Sequence, residues 1–209
     1  MEKLCRIYWL PLYAYVRRRG YPLEDAQDLT QEFFAGLLAR NGLERVSPLK
    51  GKFRSFLLAS VNHLLSDQRD RACRVKRGGG QPLLSLDAEA AEERCRLEEA
   101  DRLTPERLFD RRRAQALVEG MLAQLQQECA RAGKVQHFAV LKQFLTGGEV
   151  PNYRGAAEEL HMTEGSVRVA VHRLRQRFGE LFRQAVADTV ASPDEIEGEM
   201  RYLLEVLTG

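Results

Sequence analysis

Asn62, His63, Ser66, Asp67 and Arg69 crowd short or forked hydrogen-bonding groups into one part of the segment GKFRSFLLASVNHLLSDQRDRACRVKR, residues 51–77. An amide, an imidazole, a hydroxyl, a carboxylate and a guanidinium can together meet the Watson–Crick edge of a base. That edge is open only when the base is unpaired or flipped out of the stack. Arg71, Arg74, Lys76 and Arg77 follow directly, and their positive charge suits the phosphates between such bases. Phe53 and Phe56 could stack on bases, but aromatic residues at this spacing more often fill a core.

Two further stretches carry binding chemistry of other kinds. In YRGAAEELHMTEGSVRVAVHRLRQRF, residues 153–178, Ala156, Ala157 and Leu160 face inward on a short helix that leads to a tight turn. Thr163 caps the next helix, Glu164 lies in its first turn, and Val167, Val171, Leu174 and Phe178 form its apolar stripe. Thr163, Ser166, Arg168, Val169, Ala170, His172 and Arg173 then occupy the outer, N-terminal part of that helix. There an arginine can fork onto guanine or hold a phosphate, and Val or Ala can touch a thymine methyl. The bland alternative is an amphipathic bundle helix with solvated arginines. In DAQDLTQEFFAGLL, residues 25–38, Leu29, Phe33, Phe34, Leu37 and Leu38 face a core, while Asp25, Asp28, Gln31 and Glu32 share the other surface. Such a face repels phosphate and suits a basic protein surface or plain water.

Enzyme chemistry finds no foothold. There is no nucleophile–base pair and no phosphate loop, and His63, His137, His161 and His172 lack ligand spacing. Cys5, Cys73, Cys95 and Cys129 form neither a metal clip nor a disulfide framework, which points to a reducing, cytoplasmic setting. No enzyme, cofactor or metal is expected. The first twenty residues carry Glu2, Lys3 and Arg6 and read as a helix, not a signal peptide, and no apolar run approaches a membrane span. The formal charge of +2 hides a segregation: +7 over residues 1–78, −5 over 79–110, +4 over 111–190 and −4 over 191–209. Two basic blocks on separate modules suit a polyanion touched in two places.

The elements that must position these groups are helical nearly throughout. Helices are expected over 4–19 (with Leu4, Tyr8, Leu12, Tyr15 and Val16 inward), 22–38 and 53–74 (with Phe56, Leu57, Ser60, Leu64 and Leu65 at core spacing). RVKRGGGQPLLSLD, residues 74–87, breaks the pattern with three glycines and a proline, so a flexible connector is placed there. Helical patterning resumes at Thr104, an N-cap before Pro105 and Glu106, and continues over 137–145, 153–160 and 163–187. The expected fold is all-α: two small helical domains, 1–78 and 104–190, joined by an acidic linker, 79–103, with an acidic helical extension over 191–209.

In this order the three stretches resemble the extracytoplasmic-function sigma factors, the smallest members of the sigma-70 family of bacterial transcription initiation factors. The resemblance runs over residues 5–187. It implies that DAQDLTQEFFAGLL docks on the β′ clamp helices of RNA polymerase core. FRSFLLASVNHLLSDQRDR is similar to the promoter-melting, −10-reading helix, with Asn62 at the position that contacts the flipped non-template base. The helix-turn-helix resembles the winged-helix-like region 4, which reads the −35 element and meets the β flap. Gln27 and Gly155 depart from the family pattern, which commonly has acidic residues there; the first thins the docking charge and the second is expected to loosen the reader's first helix.

The tail ASPDEIEGEMRYLLEVLTG goes beyond the minimal family pattern. Ser192 and Pro193 open a helix with Ile196, Met200, Leu203, Leu204 and Leu207 along one side. Its acidic side is expected either to dock on the second domain and restrain the free protein or to form a plain extension. The GGG linker, FLTGG and this tail also resemble a subgroup that accompanies Ser/Thr kinases rather than membrane anti-sigma factors. Thr30 and Ser55 are the candidate phosphorylation sites. Two other readings stay open: a helix-turn-helix regulator with an N-terminal helical sensing domain, and a polymerase-binding adaptor that touches RNA.

Overall fold

The computed structural model describes residues 2–39, 53–74, 103–145 and 152–208, and every regular element among them is helical. The connector 79–102 lies outside the described residues, as do Lys76, Arg77 and the side chains of Arg71 and Arg74. Two compact units divide the chain: Met1–Ala116 together with Thr189–Gly209, and Leu117–Asp188. This division cuts across the expected segments. The stretch 105–116, expected to open the second domain, belongs to the first unit, and so does the tail, which was expected to stand alone or dock on the second domain.

The first unit contains α1 (Glu2–Arg18), α2 (Leu23–Ala39), α3 (Phe53–Arg74), the first part of α4 (Pro105–Arg131) and, after a 3₁₀ turn, the C-terminal helix (Ile196–Thr208). Helix α2 begins just after Pro22 and holds Glu24 and Asp25 in its first turn, where the dipole favours negative charge. Its Leu29, Phe33, Phe34 and Leu37 are buried against Tyr8, Leu12, Tyr15 and Val16 of α1, as the periodicity requires. Helix α3 buries the expected Leu57 and Leu65 but not the rest of the expected set. Its buried row is Phe53, Leu57, Val61 and Leu65, whereas Phe56, Ser60 and Leu64 flank that row half-buried. A four-residue step follows one ridge of the helix, and the core lies under that ridge. Phe109 of α4 closes the cluster, fully buried, stacked on Tyr8 and edge-on to Tyr15 at 6.4 Å from each.

The second unit holds the rest of α4, α5 (Val135–Leu141) running into a 3₁₀ turn (Lys142–Phe144), α6 (Tyr153–Glu159) and α7 (Glu164–Ala187). Val140, Leu141, Phe144, Ala156, Ala157, Leu160, Val167 and Val171 make its core, and the two alanines let α7 cross α6 closely. The turn between them is a Schellman cap. The His161 N–H donates to the Glu158 carbonyl (3.3 Å) and the Met162 N–H to the Ala157 carbonyl (2.9 Å), with His161 left-handed at φ 53°. Asn152 caps α6 by accepting from the Arg154 and Gly155 N–H groups. A Cβ at Gly155 would stand 3.2 Å from Asn152 Nδ2, so glycine here fits the cap instead of merely loosening the helix. No strand, and hence no wing, occurs among the described residues of this unit.

The C-terminal helix, α8 (Ile196–Thr208), keeps Leu203 inward, but Leu204 of the expected stripe is 51% exposed. Glu199 takes an inward position instead, because buried Arg113 of α4 faces it.

Candidate protein and nucleic-acid interfaces

On α2, Asp25, Asp28 and Glu32 are exposed at helical spacing opposite the buried Leu29, Phe33 and Leu37. Glu32 accepts from Gln68 Nε2 (2.9 Å), tying this face to α3, and Gln31 is half-buried beside it. The result is a surface of carboxylates on a helix whose other side is locked in the core. Thr30 is fully buried and its hydroxyl donates to the Ala26 carbonyl (2.7 Å). The expectation of a phosphorylation site there is therefore corrected: a kinase could not reach the hydroxyl without opening α2. Ser55 is exposed on the first turn of α3.

Along α3, His63, Ser66, Asp67 and Arg69 are exposed, and the Arg69 guanidinium lies 5.9 Å from the centre of the Tyr21 ring. Asn62 is different. It is half-buried, and its Oδ1 accepts from the Tyr15 hydroxyl at 3.0 Å. The same hydroxyl lies 3.3 Å from Glu106 Oε1 in the first turn of α4. Burial raises the Tyr15 hydroxyl above the ordinary phenol range, so it stays a neutral donor. Tyr15 and Glu106 were not foreseen as neighbours of this site; Tyr15 is the core residue of α1 that the periodicity marks, and only the fold brings its oxygen to Asn62.

Thr163 and Ser166 are occupied in shaping α7. The Ser166 N–H donates to Thr163 Oγ1 (3.2 Å), and the two hydroxyls lie 2.9 Å apart. Thr163→Ala should therefore lower the stability of the second unit by about 1 kcal/mol, read as a lower denaturation midpoint. The outer residues of α7 divide between two surfaces. Arg168 is exposed, stacked over Tyr153 at 4.4 Å and 4.0 Å from Glu164, and His172 is exposed as well. Val169, Ala170 and Arg173 instead line a groove of about 820 Å³ together with Thr163, Ser166, Leu125 and Phe138. Arg175 donates to the Phe144 carbonyl (3.1 Å), and Arg177 bridges Glu128 (2.8 Å) and Glu180 (2.9 Å), so both are tied down within the unit. The Arg177 hydrogen bond holds the Glu128 carboxyl below its usual range.

Among the described residues no group of His, Cys, Asp and Glu could hold a metal ion, and no helix is long and apolar enough to cross a membrane. Neither a curated protein nor a solved structure matches the chain. Residues 7–75, which hold most of α1 and all of α2 and α3, match the family model for Sigma-70 region 2. That match supports a sigma-70 family sigma factor, and its region 2 indicates a role in promoter recognition and transcription initiation.

Proposed function

We propose that this protein is a sigma factor of the extracytoplasmic-function type, which brings bacterial RNA polymerase core to specific promoters and aids their opening. The observation that carries the reading is the region 2 match over helices that bear both an exposed carboxylate face and a polar, partly basic face. Asp25, Asp28, Gln31 and Glu32 dock on the basic surface of the β′ clamp helices. Asn62, His63, Ser66, Asp67 and Arg69 receive the −10 non-template strand, with Arg71, Arg74, Lys76 and Arg77 on its phosphates. The second unit supplies a helix-turn-helix, α6 and α7, in which Arg168, Val169, Ala170, His172 and Arg173 meet the −35 element, with Thr163 and Ser166 at its start, and which contacts the β flap. The protein works by binding, in the cytoplasm, without catalysis or cofactor.

Phosphate contacts supply most of the affinity, and a few base contacts choose the site. Purified protein should form a one-to-one complex with polymerase core and give it affinity for particular duplexes; no complex would contradict the reading. Within that complex, Arg168→Ala should weaken binding to a selected promoter duplex about tenfold, measured by anisotropy at fixed salt. A Ser/Thr kinase acting on exposed Ser55, or an anti-sigma factor, is the regulator proposed with this reading.

A further inference from the structure

Tyr15 is fully buried, with its ring edge-on to Phe109 and 5.8 Å from the Arg19 guanidinium. Packing of this kind keeps the hydroxyl in one place, 3.0 Å from Asn62 Oδ1. Burial raises that hydroxyl above the ordinary phenol range, so it has a proton to give. Glu106 Oε1 is farther from it, at 3.3 Å, and belongs to an exposed residue that water can serve. The Asn62 oxygen therefore faces the core. Its Nδ2 has no protein partner among the described residues and is not shut away from solvent. Asn62, Ser66 and Arg69 stand at i, i+4 and i+7 on one face of α3, the last two exposed. A row of amide nitrogen, hydroxyl and guanidinium is rich in donors.

We infer that Tyr15 is a positioning residue that turns the Asn62 amide nitrogen outward, so that α3 selects an unpaired base by its acceptors and discriminates against adenine. The inference rests on the sigma-factor reading of α3. A free carboxamide recognises adenine with both ends: its oxygen takes the N6 amino group and its nitrogen gives to N7. With its oxygen committed to Tyr15, Asn62 keeps only the second bond and sets its own N–H groups against the N6 amino group. A purine with a carbonyl at position 6 offers O6 and N7 side by side, and both accept. The amide nitrogen carries two hydrogens and can serve either. Turning the amide over would take from the buried Tyr15 hydroxyl its nearest acceptor, and that cost backs the discrimination.

The test uses the full-length protein and fluorescein-labelled single-stranded 12-mers that are abasic except for one central purine. Deoxyinosine and deoxyadenosine there match in size and differ at position 6 and at the neighbouring N1 proton. Wild type should bind the deoxyinosine strand about tenfold more tightly, by anisotropy at fixed salt. Tyr15→Phe keeps the ring and frees the amide, so the two strands should come within about twofold of each other. Asn62→Asp can only accept and should turn the preference toward deoxyadenosine. A purely structural role for Tyr15 would lower the urea midpoint and both affinities but leave their ratio unchanged, which overturns the inference. So does a wild type that does not prefer deoxyinosine, a result that needs no variant to fold. If neither strand binds, the inference falls as well. The sigma reading then survives only if wild type still drives polymerase core to defined start sites.

Discussion

Replacing Glu199 by alanine should lower the unfolding free energy of the first unit by about 3–5 kcal/mol. The Arg113 side chain is only 1% exposed and that of Glu199 2%, so the substitution strands a guanidinium that water cannot reach. Arg54, 3.7 Å from the same carboxylate, loses part of its compensation as well. The loss should appear as a fall in the urea midpoint with little change in slope. Replacing both partners by apolar residues, Arg113→Met with Glu199→Leu, should recover most of it, because neither member of this pair is then left as an uncompensated buried charge. Glu205→Ala, on the exposed side of the same helix, should stay within about 0.5 kcal/mol of wild type. An unshifted midpoint for Glu199→Ala would mean that α8 does not pack on this unit in solution.

Asp28→Arg should weaken binding to polymerase core by at least about a hundredfold while the melting curve stays that of wild type. Asp28 is exposed, and the core contacts of α2 come from Leu29, Phe33, Phe34 and Leu37 on the other side, so folding does not depend on it. Interface charge does: the reversal sets a cation against a surface selected to be basic, between Asp25 and Glu32 that still attract it. Equal loss of core binding and of thermal stability would assign Asp28 to the fold instead, and undiminished binding would remove the α2 face from the proposed interface.

What the sequence made legible was the part written in local repetition. The inward residues of α1 and α2 recur every three or four positions, and Tyr8, Leu12, Tyr15, Val16, Leu29, Phe33, Phe34 and Leu37 are buried as that spacing requires, the side chains of Leu4 and Leu38 lying outside the described residues. On α3 the same rule found Leu57 and Leu65 but passed over Val61, which sits beside Asn62 and His63 in a polar-looking stretch and is buried by what α1 and α2 bring against it. Thr30 was legible on closer phase. It falls between Ala26 and Phe33 on the buried side of α2, and its hydroxyl is satisfied by the carbonyl four residues back.

Pairings between distant residues left no local trace. Arg113 and Glu199 are 86 residues apart, and Tyr15 and Asn62 are 47 apart. Each looks ordinary alone: an arginine in a basic run, a glutamate in an acidic tail, a tyrosine on an apolar stripe. The tail's net charge of −4 suggested a basic surface for it, but charge is non-directional at this level and could not choose between units. A buried carboxylate facing a buried guanidinium made that choice. The exposure of Asp25, Asp28, His63 and Arg168 was legible from the helical phase alone, whereas the engagement of Asn62 by Tyr15 needed the fold.

The central claim is that these faces serve transcription initiation, and it is tested most directly by mapping RNA 5′ ends made in vitro. Purified polymerase core, a library of random promoter-length duplexes and this protein should yield start sites that share upstream elements and vanish when the protein is omitted. Identical start sites with and without the protein, or none in either case, would contradict the account.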